Sequence, residues 1–222
     1  MQIYTSLDMR VQQAGIDAMA ANAPVYLDGK DFGASGVTIE TGTGRVLAIV
    51  QNTTFNETAN ANRAKGETSL VYAADKTHGN SNGMPPGSAY KLFTLIDWLE
   101  KGHSVNEVVN GNTRVFNNFT VCEEPFYNDE MIYNYNKQRG FTGTVRQFTA
   151  KSLNTGYLAM AEQLDTCDIN KVAERMGVHL GNGGPVGGEP DRPNKQTGNY
   201  PYDSVLGSKY IAPIQMAGAY TT

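Results

Sequence analysis

The stretch Pro85-Pro86-Gly87-Ser88-Ala89-Tyr90-Lys91-Leu92-Phe93-Thr94-Leu95-Ile96-Asp97-Trp98-Leu99-Glu100-Lys101-Gly102 decides how the chain is read. Leu92, Phe93, Leu95, Ile96 and Leu99 recur with the period of a helix that has one apolar face, starting at Ser88 and ended by Gly102. Ser88 stands at the helix start and Lys91 one turn on, on the same face. A serine hydroxyl is a poor nucleophile until a neighbouring base takes its proton, and lysine can be that base where its surroundings lower its pKa. The helix start adds exposed N–H groups and a positive dipole end, which favour a developing oxyanion. Alone, the same residues also fit an ordinary helix cap beside a solvated lysine. A second cluster, Ser152-Leu153-Asn154, follows at the start of another helix. Its hydroxyl can both donate and accept a proton, and its amide offers donors and an acceptor together. Here too the plain alternative is a helix cap.

Outward from these clusters, Leu7, Val11, Ala14 and Ala18 form one helical stripe, with Thr5 and Asp8 spaced as a capping box. Gly15 beside the stripe and Ile16 near the opposite face count against it. Gly36-Val37-Thr38-Ile39-Glu40 and Arg45-Val46-Leu47-Ala48-Ile49-Val50, separated by Thr41-Gly42-Thr43-Gly44, predict a β-hairpin. Gln51 to Gly83 reads as a long surface loop with a short strand around Ser69–Tyr72. Ser104 and Glu107 open a short helix, and Asn110 to Gly140 takes no assignment. Helices resume near Thr144, over Tyr157–Leu164, and over Asp168–Met176, where Asp168 caps the start and Gly177 follows the end. The run Gly181 to Gly188 is loop, and Ile211 to Ala219 is a helix entered through Pro213. The expected fold is α/β, with residues 1–87 holding the first helix and hairpin, 88–180 mainly helical, and 181–222 a loop and return segment. A two-stranded hairpin is marginal alone, so a sheet of this kind calls for further strands.

Composition narrows the partners. The 222 residues are 40% apolar, enough for a sizeable core, and 22 acids against 18 bases leave a net charge of -4. That balance excludes a polyanion tether such as nucleic acid and suits small or peptide substrates. No run is long and apolar enough to span a bilayer, and the first residues lack a secretory layout. Cys122 and Cys167 are far apart and lack histidines at metal spacing, which argues against zinc. Two buried free thiols is the simpler reading; a disulfide is the alternative, allowed outside the cytoplasm. His78, His103 and His179 lie in polar or loop contexts and read as structural, and no metal or cofactor is expected. Asn52, Asn56 and Asn118 open glycosylation-type triplets that read as chance. Tyr127, Tyr133 and Tyr135 could line a peptide groove, but packing beneath a long loop is the plainer reading.

The two clusters together, in this order, are the signature pattern of serine transpeptidases and β-lactamases. The chain resembles the transpeptidase domain of class A penicillin-binding proteins along nearly its whole length. Tyr4-Thr5-Ser6-Leu7-Asp8-Met9-Arg10-Val11-Gln12 looks like the domain's opening, and Thr38 to Val50 like its first hairpin. Pro86 to Thr94 resembles the nucleophile helix, Lys151 to Leu164 the helix with the second motif, and Leu206 to Ala217 the later segment leading back to the sheet. The hairpin, and cysteines near Phe119-Thr120-Val121 and Leu164-Asp165-Thr166, look most like actinobacterial enzymes. The resemblance implies a mixed antiparallel sheet flanked by helices plus an all-helical subdomain. It implies Ser88 as the acylated nucleophile with its own backbone N–H in the oxyanion hole, Lys91 as proton acceptor, Ser152 as relay or donor of a proton, and Asn154 as the residue that holds the substrate amide and steadies Lys91. Partners would be peptidoglycan stem peptides, with a D-Ala-D-Ala donor and an amine acceptor, and β-lactam antibiotics. The parent protein would be membrane-anchored at the outer face of the cytoplasmic membrane.

One departure stands out: no Lys-Thr-Gly or Lys-Ser-Gly occurs in the sequence. The family carries that motif on a later strand, so the resemblance implies an internal piece whose sheet and site are incomplete. A β-lactamase would need a further base to activate water, and Glu189, in Glu189-Pro190-Asp191-Arg192-Pro193-Asn194, lacks the Glu-x-x-Leu-Asn pattern this would require. A β-lactam sensor, acylated without turnover, is the remaining rival.

Overall fold

The computed structural model describes residues 2–58, 66–187 and 201–221. In chain order, helix α1 (Met9–Asn22) precedes the short strands β1 (Tyr26–Leu27) and β2 (Lys30–Asp31). Then come the hairpin β3 (Ser35–Ile39) and β4 (Val46–Gln51), strands β5 (Thr54–Phe55) and β6 (Glu67–Thr68), and the one-turn helix α2 (Lys76–Gly79). A 3-10 turn (Gly87–Tyr90) runs into α3 (Lys91–Glu100), followed by β7 (Val108–Asn110), β8 (Phe119–Val121), β9 (Glu124–Phe126) and β10 (Thr142–Thr144). Helices α4 (Val145–Lys151), α5 (Asn154–Ala161), α6 (Thr166–Arg175), α7 (Asp203–Leu206) and α8 (Pro213–Ala219) complete the order. The chain divides into two compact units, Met1–Met84 with Met176–Gly184 and Tyr210–Thr222, and Pro85–Arg175 with Pro185–Lys209.

In the first unit the expected hairpin forms, pairing Ser35 with Gln51 through to Ile39 with Val46 around a bulge at Thr38/Ile39. The first helix forms too, but its cap and its packed face differ from expectation. Asp8 alone is the N-cap, its carboxylate accepting from the Arg10 N–H at 2.9 Å. Ala14 and Ala18 face solvent, whereas Gly15 lies so close to β4 that a Cβ there would stand 2.9 Å from Val50 Cγ1. Gln12 explains the rotation. Its amide donates to Ile49 O at 2.8 Å and accepts from the Ile49 N–H at 3.0 Å, while the Asp8 N–H reaches Leu47 O at 2.9 Å. The outer edge of β4, whose backbone groups would otherwise need another strand or water, is thus covered by the chain's own first helix. Helix α8 enters through Pro213 as expected, and the Ile214 N–H donates to Ala73 O at 3.0 Å. The strand expected over Ser69–Tyr72 is displaced to Glu67–Thr68, paired in parallel with β5. Asn52 serves as an internal staple, accepting from the Ala34 N–H at 2.8 Å and donating to Phe32 O at 3.0 Å.

The second unit is built on α3, whose Phe93 and Trp98 are fully buried. Every residue of α5 from Thr155 to Ala161 is buried, as expected of a helix with apolar residues on all sides. This unit also carries two antiparallel ladders, β7 with β10 and β8 with β9, in a region the sequence read as mainly helical; β8 and β9 lie in the segment Asn110 to Gly140 that took no assignment. Ser104 and Glu107 form half of a capping box, the Ser104 N–H donating to Glu107 Oε1 at 2.6 Å, while Ser104 Oγ accepts from the Asn106 N–H at 3.1 Å and the Glu107 N–H goes to Ser104 O at 3.1 Å. They close a turn rather than open a helix, because the β-branched Val108 and Val109 enter the β10 ladder. Helix α6 starts two residues before Asp168; Asp165 accepts from the Cys167 N–H at 2.8 Å, and Asp168 instead pairs with Lys101 and Lys171. Gly177 follows at φ 82°, as expected past a helix end.

The cysteines are joined. The Cys122–Cys167 disulfide links the β8–β9 turn to α6 across 45 residues, with Cα atoms 5.2 Å apart, which overturns the free-thiol reading. Asp165 prepares the junction, since its carboxylate also accepts from the N–H groups of Cys122 at 2.9 Å and Glu123 at 2.7 Å.

Candidate active site

Both sequence clusters fall in the second unit. Ser88 is not an N-cap: it lies in the 3-10 turn Gly87–Tyr90, and Lys91 is the first residue of α3. Three residues per turn place positions i and i+3 over one another, and Lys91 Nζ stands 3.2 Å from Ser88 Oγ. Gly87, at φ 55°, starts this turn and donates its N–H to Gly207 O at 3.0 Å. Tyr90, one step past Ala89, is buried and anchors the turn from below, its hydroxyl donating to Asn170 Oδ1 at 3.0 Å. Asn170 in turn donates to Ser204 Oγ at 3.1 Å.

Ser152 is positioned by the end of α4. That helix opens with a full capping box from Thr144 and Gln147. It closes with the Ser152 N–H on Thr149 O at 3.1 Å and the Leu153 N–H on Phe148 O at 2.9 Å. This is the bond pattern of a Schellman turn, whose left-handed position usually belongs to glycine. Here Ser152 occupies it at φ 48°, ψ 43°, a conformation that costs a side-chain-bearing residue about 1–2 kcal/mol. The turn directs both its oxygens inward: Lys91 Nζ donates to Ser152 O at 2.7 Å and reaches Ser152 Oγ at 3.1 Å. Asn154, the first residue of α5, accepts from the same Nζ at 2.7 Å and donates through Nδ2 to Tyr133 O at 3.0 Å.

Lys91 is therefore the hub of the constellation. It is only 3% exposed, beside the Tyr157 ring at 5.3 Å from its centroid, while Ser88 and Ser152 open to solvent. Burial pulls its pKa down from the ordinary lysine value of 10.5 to about 8. A lysine so placed has an appreciable neutral fraction near neutral pH and can accept the Ser88 proton at hydrogen-bond distance. All four expected site residues, Ser88, Lys91, Ser152 and Asn154, meet at one point.

Other candidates disperse. His103 bonds Glu107 at 2.9 Å and stacks on Trp98, with ring centroids 4.0 Å apart. His78 bonds Asp75 at 2.7 Å, and His179 bonds Gln215. Among the described residues no group of His, Cys, Asp or Glu is placed to hold a metal ion. Glu189 lies outside the described residues. Tyr127, Tyr133 and Tyr135 are 70%, 48% and 80% exposed, so they do not pack beneath a loop; Tyr133 and Tyr135 stand in the segment whose backbone meets Asn154. The sequence reading named Tyr133 and Tyr135 but not the contact of the Tyr133 carbonyl with Asn154, and it marked Tyr157 only as the start of a helix, because Asn110 to Gly140 has no periodicity to read and nothing local to Tyr157 points to Lys91.

A family model described as the penicillin-binding protein transpeptidase domain matches residues 34–222. Among solved structures, the penicillin-binding protein PonA1 from Mycobacterium tuberculosis is 25% identical, with a TM-score of 0.63, over 100% of this chain and 50% of that one. Penicillin-binding protein A from M. tuberculosis, solved as a penicillin G acyl-enzyme, shares the fold at 20% identity and a TM-score of 0.66, over 98% of this chain and 51% of that one. A peptidoglycan synthetase from Bifidobacterium adolescentis shares it at 14% identity and a TM-score of 0.58, over 97% of this chain and 36% of that one. The chain spans about half the length of the first two of these. No curated protein matches it in sequence.

Proposed function

The chain belongs to the penicillin-binding protein transpeptidase family, of the class A type read from its sequence, and on that premise we propose that it forms the acylation centre of a serine D,D-transpeptidase. One observation carries the reading: a lysine 3% exposed, with Ser88 Oγ, Ser152 Oγ, Ser152 O and Asn154 Oδ1 all within 3.2 Å of its Nζ. In the first step Ser88 Oγ attacks the carbonyl carbon of the penultimate residue of a D-Ala-D-Ala stem peptide, and its proton passes to neutral Lys91. The C–N bond then breaks and D-alanine leaves. Its amine takes a proton through Ser152 Oγ, which sits 3.1 Å from Lys91 Nζ. Asn154 has one Nδ2 hydrogen on Tyr133 O and the other to offer a substrate amide. An amine from a neighbouring stem peptide then attacks the ester and frees Ser88; water in its place gives carboxypeptidase activity. A β-lactam acylates the same serine, and its opened ring keeps the leaving nitrogen tethered.

The parent protein would work at the outer face of the cytoplasmic membrane, where its peptide substrates are. The disulfide supports this placement, because such bonds persist in oxidising compartments. Two thiols open to alkylation in protein taken directly from cells would remove that support. The central test is Ser88→Ala in the full-length protein. Labelling by a fluorescent penicillin is expected to disappear with no change in thermal unfolding, since only the nucleophilic oxygen is lost; labelling that persists at another residue would refute the assignment.

A further inference from the structure

Helix α5 carries Asn154 into the site, yet it has no cap of its own: its N-cap position is Leu153, which makes no side-chain bond. The missing cap comes from a distant segment. Asn134, only 6% exposed, accepts from the Thr155 N–H at 3.0 Å through Oδ1. Its Nδ2 donates to Thr155 Oγ1 at 3.0 Å and to Gln138 O at 3.1 Å. The amide therefore ties the first turn of α5 to both ends of its own loop. Its neighbour Tyr133 supplies the carbonyl on which Asn154 Nδ2 rests. Asparagine is nearly symmetric in shape, so which end of the Asn154 amide faces Lys91 is set by the partners of that amide. With Nδ2 held by a carbonyl, Oδ1 must be the end that meets Lys91 Nζ, at 2.7 Å. The loop is clamped further along as well. The Gly140 N–H donates to Thr113 Oγ1 at 2.9 Å, and a Cβ on Gly140 would stand 2.6 Å from Thr155 Oγ1.

We propose that Asn134 is a positioning residue for the acylation step: by capping α5 it holds the Tyr133 carbonyl against Asn154, which orients the Asn154 amide and through it Lys91. This rests on the acylation reading above, and the experiment separates the two. Saturating acylation rates with a fluorescent penicillin are measured in the full-length protein across the pH range that titrates Lys91. If the unaltered protein is not acylated at Ser88, the proposed function falls first. If it is, Asn134→Ala is expected to lower the saturating rate by about tenfold or more, with half-saturation changed by less than about threefold. Its pH midpoint should also move downward, because an amide free to turn presents N–H groups to the ammonium in place of an acceptor. Asn134→Asp loses the donor to Gln138 O but keeps the acceptor for the Thr155 N–H, and the Thr155 hydroxyl can turn to donate to it, at a helix start that tolerates negative charge. It should restore the saturating rate, measured well above the midpoint, to within about threefold of the unaltered protein. Thr113→Val loosens the same loop at Gly140 without touching Asn134, and should leave the midpoint in place. An Asn134→Ala protein with unchanged rate and midpoint overturns the proposal, as does Thr113→Val shifting the midpoint equally. Should Asn134→Ala fail to fold, Asn134→Asp decides alone, and a loss of about tenfold or more in its saturating rate overturns it.

Discussion

At Lys91 the cost of burial and the chemistry come from one cause. Desolvation holds its folded pKa at about 8 against 10.5 for an exposed lysine, so between those values the unfolded chain binds the extra proton. Stability therefore rises with pH across that window, by about 3 kcal/mol in all, and is lost as pH falls through it. Lys91→Met should abolish this slope in denaturant titrations, whereas a slope that survives would place the titration elsewhere. The acylation rate follows the folded value alone and should rise with pH about a midpoint near pH 8, and Lys91→Arg should not rescue it, because a guanidinium stays protonated. Ser152 presents a second conflict of this kind. At φ 48° it occupies a glycine's place, so Ser152→Gly should be more stable than Ser152→Ala by about 1 kcal/mol, while both lose acylation. Equal melting curves would mean that the turn is not strained. The motif residues were legible in the sequence because their chemistry is local; the left-handed turn was not, because nothing in Ser-Leu-Asn marks it.

At the scale of elements, the junction between the β8–β9 turn and α6 is held twice, by the Cys122–Cys167 bond and by Asp165, which accepts from the N–H groups of Cys122, Glu123 and Cys167. Replacing both cysteines by serine should cost about 2–4 kcal/mol, mainly by freeing a 45-residue loop in the unfolded chain. For a chain of this size that corresponds to a fall of roughly 5–15 °C in melting temperature. Penicillin labelling well below that temperature should be unaffected, since neither cysteine bonds a site residue. An unchanged melting temperature would show that Asp165 suffices. Element boundaries were readable where a local signal wins, as at Gly177 or the hairpin turn Thr41 to Gly44. They failed where a partner elsewhere decides. The bonds at Ser104 and Glu107 belong equally to a helix start and to a tight turn, and the β10 strand settled which. Asp168 has the right chemistry for a cap but spends it on Lys101 and Lys171.

For the molecule as a whole, the 222 residues include no Lys-Thr-Gly, the motif from which the resemblance implies a cation for the substrate carboxylate and a further oxyanion donor. Loss of one such donor typically removes roughly 2.7–4 kcal/mol of transition-state stabilisation. These residues alone are accordingly expected to react with penicillin at least about a hundredfold more slowly than a protein carrying that motif, and a segment bearing it should restore labelling when added. Equal rates for matched amounts of the two would show that the chain completes its site by other means. By itself the sequence determined the family, the order of the motifs, the hairpin and the candidates Ser88, Lys91, Ser152 and Asn154, because each is written in residues a few positions apart. Tertiary structure alone decided which face of α1 packs, that Cys122 meets Cys167, and that Asn134 and Tyr133 stand against the start of α5. Each of those pairings joins segments more than twenty residues apart, where the outcome depends on which buried polar groups find partners rather than on any local period.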